Sequence, residues 1–278
     1  MRLLYDSHSH TPLCRHATGL PEEYARVAHA RGLKGMIVTC HNPMPEAYGH
    51  NGRMREEEFP EYLRLVSEAA AQWADRDFEI LLGLESDYLP GFEGIGPWLE
   101  AIHSRAEFHY ILGSIHPQLS IYLERFSLDH PREFQRGYFE HLAQAAESGF
   151  FDAISHPDLV KNLTPDTWNV AALMPDIRRS LDRIAATGVA MELNTSGLLK
   201  TVPEMNPGPE ILREMNLRGI PVVLGSDAHV PERAGENFPL ALRHLKAAGY
   251  REIHLFRHRR PRALAIDEVE ATLISPAS

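Results

Sequence analysis

The sequence predicts a single α/β domain over residues 1–278, in which parallel strands alternate with helices and close into a distorted barrel. Three observations carry this. Short apolar runs, rich in β-branched residues, alternate with longer amphipathic stretches from one end of the chain to the other. No linker or abrupt change of composition divides the chain. Several apolar runs end on histidine or an acid, as in LLYDSHSH, GMIVTCH, ILLGLE, YILGSIH, FFDAISH and VVLGSDAH. A barrel brings the C-terminal ends of its strands to one rim, so the active site is expected there.

Strands are predicted at 3–5, 35–39, 80–84, 110–114, 151–155, 189–193 and 221–225, each a run of three to five mostly apolar residues. Helices are predicted at 21–31, 57–74, 131–148, 173–186, 209–218 and 238–248. Proline near the start of several, and glycine just past the last turn in ARG, ESG, ATG, LRG and AAG, set their ends. The segment EIHLFR, 252–257, either supplies an eighth strand or pairs elsewhere. The polar, turn-rich segments 42–56 and 118–130 follow candidate site residues, so they are expected to roof the pocket.

The chain has 44% hydrophobic and 24% charged residues and no apolar run of membrane-spanning length, which points to a cytoplasmic protein with no membrane partner. A formal charge of −10 argues against nucleic acid, which requires clustered cations. It leaves room for a small anionic substrate, because bound metal can make a site locally positive. A homo-oligomer is left open. Cys14 and Cys40 are the only cysteines and form no CxxC pair, so both are expected to be buried thiols rather than ligands.

Nine residues make up the candidate metal site: His8, His10, His16, His41, Glu85, His116, His156, Asp227 and His229. In an extended DSHSH the imidazoles at i and i+2 point the same way. One HxH is weak evidence, but polar side chains repeated at strand ends, closed by SDAH, are costly unless something compensates them. The other nine histidines serve as a control. His29, His103, His141 and His244 lie in helical patterns, and His50, His109, His130, His254 and His258 lie away from the strand ends. Asp6 is either a ligand or a partner that orients one. A donor set of imidazole and carboxylate suits Zn, Mn or Fe, and Glu85, on a central strand, is the candidate bridge. Two or three clustered divalent ions point to phosphoester hydrolysis.

Taken together, DSHSH, PLCRH, TCH, GLESD, GSIH, SHPD and GSDAH resemble the polymerase and histidinol phosphatase (PHP) superfamily. HTPLCRHA, HNPMP with GRMR, GLESDYLPG, SHPDLVKN, ELNTSGL and LGSDAHVPE resemble its histidinol-phosphatase branch, and the likeness runs from about residue 6 to about 249. The resemblance implies a distorted (β/α)7 TIM-like barrel with a trinuclear centre. His8, His10, Glu85 and Asp227 would hold one ion; Glu85, His116 and His156 a second; His16, His41 and His229 a third. It implies hydrolysis of the phosphomonoester L-histidinol phosphate within histidine biosynthesis, through in-line attack by metal-activated hydroxide. Asp227 or His229 would protonate the leaving alkoxide. Arg53 and Lys161 are candidate phosphate contacts; Glu46, Asp87 and Asn194 are candidates for the rest of the substrate. The chain departs from the pattern at Cys40, where relatives carry an acid before the histidine, and at Arg233, where an acid is common.

Overall fold

The computed structural model describes residues 2–46 and 52–273. Part of the 42–56 loop, including His50, lies outside the described residues. Seven strands form one parallel sheet in sequence order: β1 (Tyr5–Asp6), β2 (Gly35–Val38), β3 (Glu79–Asp87), β4 (Tyr110–Ser114), β5 (Ala153–Ile154), β6 (Ala190–Asn194) and β7 (Val222–Gly225). Beyond β1 the chain returns to β7: Ser7 N donates to Leu224 O at 3.1 Å, and Ser9 pairs with Ala228 in a parallel bridge. The sheet is therefore a nearly closed barrel. Every residue of β2, β4, β6 and β7 is buried, as expected of parallel strands covered on both faces.

The helices are α1 (Pro21–Ala30), α2 (Phe59–Trp73), α3 (Ile95–His103), α4 (Ser120–Arg125), α5 (Pro131–Glu147), α6 (Val170–Thr187), α7 (Pro209–Leu217), α8 (Phe238–Ala248) and α9 (Ile266–Glu270). Proline at the first or second position opens α1, α2, α5, α7 and α8, where its missing N–H costs nothing. The Asn169 side chain caps α6 by accepting from Ala172 N at 3.0 Å. No helix among the described residues is long and apolar enough to cross a membrane.

Several elements differ from expectation: α4 forms within the expected 118–130 loop, and α9 and the strand Arg260–Ala265 are not among those predicted. EIHLFR joins no barrel strand; it becomes β8 (Glu252–Arg257), paired antiparallel with β9 (Arg260–Ala265). Phe256 packs on Tyr110 at 5.3 Å between rings, so this hairpin lies against the N-terminal end of β4, opposite the rim. Helix α3 is not among the predicted helices, although its last residue, His103, lies in a helical pattern; Gly94, Gly96 and Pro97 crowd its start. Gly94, at φ 86°, in fact turns the chain into it.

His141 shows what a control histidine does. It is buried in α5, and the Tyr122 hydroxyl lies 2.7 Å from its Nδ1. Burial pulls its pKa from 6.5 down to about 4. The unfolded chain therefore takes up a proton below pH 6.5 that the folded chain refuses until about pH 4, so stability falls as pH drops through that window. A shift of this size corresponds to about 3 kcal/mol. His141→Gln should be less stable than wild type at pH 7.5, and the gap should narrow by pH 5 in denaturant titrations. A gap that does not change with pH would contradict the assignment.

Candidate metal centre

The nine candidate residues gather at the C-terminal side of the strands, His16 from the turn that follows β1, and five of the histidines approach Glu85. At its Oε2, His8 Nε2 lies 3.4 Å away, His10 Nε2 3.6 Å and His41 Nδ1 2.7 Å. At its Oε1, His156 Nε2 lies 3.2 Å away and His116 Nε2 3.5 Å. Asp227 Oδ1 stands 3.6 Å from His8 Nε2 and 3.1 Å from His10 Nε2. The rings of His229 lie 4.0 Å from His10 and 4.5 Å from His16. The two oxygens of Glu85 thus face different donor groups. None of the control histidines joins this cluster among the described residues.

The local backbone is bent to achieve this. Asp227 adopts φ 51° and His156 φ 22°, a region that costs a non-glycine residue roughly 1–3 kcal/mol. Gly225 leaves room beside the site: a Cβ there would come within 2.6 Å of the His8 Cβ.

The donor set passes a test for a cation. His8 Nε2, His41 Nδ1, Glu85 Oε2 and His229 Nε2 are buried atoms without a hydrogen-bond partner. His41 Nδ1 and Glu85 Oε2 approach closely yet lack hydrogen-bond geometry. Converging lone pairs left bare in a buried site are costly unless a shared cation neutralises them. Protonation chemistry agrees. Burial would raise the Glu85 carboxyl, but His41, His8 and His116 outweigh it and hold it well below its ordinary range. Burial lowers His229 to about 3, leaving a neutral imidazole able to ligate. Burial also disfavours charge on His8, yet Glu192, Glu85 and Asp227 outweigh it and raise that ring well above 6.5. The acids around this ring favour positive charge on it, which a cation on Nε2 would supply in place of a proton.

Behind the rim lie partners that fix ring orientation. Glu192 Oε1 is 2.7 Å from His8 Nδ1, Asp87 Oδ1 is 2.6 Å from His116 Nδ1, and the Cys14 carbonyl is 2.7 Å from His16 Nδ1. Sequence reading missed Glu192; its signal was a lone acid inside the apolar run VAMELN. Asp6 orients no imidazole. Its carboxylate accepts from the backbone amides of His8, Ser226 and Gly235, tying β1 to the loop after β7. Cys40 turns away from His41, its sulfur accepting from the Thr11 hydroxyl at 3.2 Å.

A cavity of about 580 Å³ opens onto the rim, a size suited to a small ligand. Gly52 and Arg53 from one expected loop, and Gln118 and Leu119 from the other, line it. Of the five nominated substrate contacts, only Arg53 does. Arg53 also donates through Nη2 to Asp87 Oδ1 at 2.8 Å. Asp87 is 1% exposed behind His116, and Asn194 is spent on Glu192 and the Ser196 amide. Glu46 is exposed and outside the cavity lining. Lys161 is fully buried, donating to Asp158 Oδ2 at 3.0 Å, Glu204 Oε2 at 2.9 Å and Met205 O at 3.0 Å. It cannot reach the cavity without breaking that knot. Lys200 and Arg233 line the cavity instead. Lys161→Met should cost roughly 3–5 kcal/mol of stability, because it strands the buried Asp158 carboxylate. Substrate KM should stay within about twofold, and a large rise in KM at unchanged stability would return Lys161 to the substrate.

A family described as PHP domain matches residues 6–196. A Deinococcus radiodurans protein named "Probable histidinol-phosphatase" is 40% identical over 271 residues, covering 92% of this chain and 98% of its own length. A Bacillus subtilis protein named "Histidinol-phosphatase" is 24% identical over 250 residues, covering 81% of this chain and 92% of its own. In fold, the chain is similar to the histidinol phosphate phosphatase of Lactococcus lactis, solved with Zn, L-histidinol and phosphate. The TM-score is 0.75 at 21% identity, over 93% of this chain and 98% of that one.

Proposed function

The chain belongs to the PHP domain family, and we propose that it hydrolyses L-histidinol phosphate to L-histidinol and phosphate, using two or three divalent ions held by the rim. The observation that carries this reading is Glu85, buried, with each oxygen turned to a different group of imidazoles. His8, His10, Glu85 and Asp227 would hold one ion, Glu85 with His116 and His156 the second, and His16, His41 and His229 the third. Bound Zn, Mn or Fe supplies activated water near neutral pH and neutralises charge on a phosphoryl group.

The chain's own residues do the rest. Arg53 presents its guanidinium in the cavity wall, and Lys200 and Arg233 add cations there, so a phosphate entering the cavity meets positive charge. Asp227 and His229 also line the cavity; both are held deprotonated, so either would first take up the proton lost by the attacking water and then pass it to the departing alkoxide. Asp227 is held by the Ser196 hydroxyl, 2.9 Å from its Oδ2. The substrate part of the reading is supported by the branch-like motifs and by the name of the 40%-identical relative. Histidine biosynthesis in the cytoplasm is its natural setting.

Metal analysis of the purified protein, coupled to phosphate release from a panel of phosphomonoesters, tests this directly. At least two ions per chain and a strong preference for histidinol phosphate are expected. Comparable turnover of unrelated phosphomonoesters would overturn the substrate, and full activity after metal removal would overturn the mechanism.

A further inference from the structure

We propose that His10, Cys14 and Cys40 form a buried site for one thiophilic cation, such as Cd2+ or Hg2+, directly behind the rim. His10 has two faces. Its Nε2 lies 3.1 Å from Asp227 Oδ1, while its Nδ1 is buried with no hydrogen-bond partner. A donor nitrogen of His10 and both cysteine sulfurs lie within 4.8 Å of one another. With Nε2 turned to the rim, Nδ1 is the nitrogen left for the sulfurs. The His10 side chain and both cysteines are 0% exposed.

Local structure explains the convergence. The turn Pro12–Cys14, closed by Cys14 N donating to Thr11 O at 3.2 Å, folds Cys14 back towards His10. Cys40 arrives just after β2, beside His41. The Thr11 amide and hydroxyl donate to the Cys40 sulfur at 3.4 and 3.2 Å. The thiol's own proton can reach the Thr11 carbonyl at 3.6 Å or the neighbouring Cys14 sulfur. Losing that proton leaves both donors in place on the sulfur, an arrangement that suits a thiolate.

Charge and softness select the occupant. With Nε2 turned to the rim, Nδ1 carries the ring's proton, so a divalent ion there displaces three protons to solvent, two from the thiols and one from the ring, and forms two metal–sulfur bonds and one metal–nitrogen bond. Two thiolates offset its charge, and the ring, left as an imidazolate between the two sites, shares its negative charge with the rim cation, so no charge is buried unpaired. Thiolate donors favour soft ions over the harder ions that suit the imidazole and carboxylate rim. Under the function proposed above, on which this consequence rests, the same ring serves the rim through Nε2. An ion on Nδ1 should then disturb the rim.

The test loads the protein with Mn2+ and titrates it with Cd2+. One added equivalent of cadmium is expected, with ultraviolet sulfur-to-cadmium charge-transfer absorption, retained manganese and reduced phosphate release. Cys14→Ser and Cys40→Ser should each weaken that equivalent at least tenfold and roughly halve the absorption at saturation, and the double substitution should abolish it. Cys40→Ser should keep its manganese and its phosphate release without cadmium; Cys40→Ala replaces it if it fails to fold. Full absorption after either substitution, absorption that survives the double substitution, or cadmium bound without absorption would overturn the site. A normal cadmium titration in a protein that releases phosphate from no substrate would overturn the proposed function and leave this site standing.

Discussion

Glu85→Gln should remove at least one bound metal ion and lower turnover by roughly three orders of magnitude, about 4 kcal/mol of transition-state stabilisation. The side chain keeps its shape, so the fold should survive. What changes is charge and donor capacity at the one residue that faces both His8, His10 and His41 and, through its other oxygen, His116 and His156. An amide offers one weaker oxygen and turns an NH2 towards one of the two groups. Stability separates this from a folding defect. Metal added to the wild type should raise its melting temperature by mass action, and the variant should lose most of that rise. Wild-type metal content with turnover within tenfold would remove Glu85 from the bridge.

Glu192→Gln should weaken metal binding by about 10–100-fold, the usual cost of losing a carboxylate that orients a ligating histidine. Glu192 does not line the cavity, but its two oxygens are both committed. Oε1 lies 2.7 Å from His8 Nδ1, and Oε2 accepts from His156 N at 2.9 Å and Asn194 Nδ2 at 3.0 Å. A glutamine can satisfy only one side. If its oxygen faces His8, its NH2 opposes two donors; if flipped, it opposes the His8 ring and releases that ring from its fixed orientation. Competition titration with a chelator reads the effect. Unchanged metal affinity would show that His8 is held by packing alone.

Much of the site was legible because strand ends are written in sequence as an abrupt change from apolar to polar. The residues after ILLGL, YILGS and FFDAIS had nowhere to go but the rim once those runs became parallel strands. The same logic set aside His141 and His103, which lie on helix patterns and pair with Tyr122 of α4 and Ser86 of β3. Substrate contacts were read less well. Lys161 follows a motif-bearing strand, yet its ammonium folds into Asp158 and Glu204. The acid that captures it on one side is 43 residues away. Asp87 ends β3 beside the site, but a strand side chain two residues past Glu85 sits deeper in the loop layer, where Arg53 and His116 claim it.

The sequence by itself determined the strand–helix alternation, the barrel class and the candidate donor residues, since periodicity and residue type are local properties that a linear chain displays. Only the tertiary structure decided which atom of each ring faces Glu85, and which acids stand behind the rings. It also decided that EIHLFR pairs outside the barrel, and which cations reach the cavity. The physical reason is the same in each case. Side-chain direction and burial are set by partners as far apart as His8 and Glu192, which lie 184 residues apart in sequence and 2.7 Å apart in the fold.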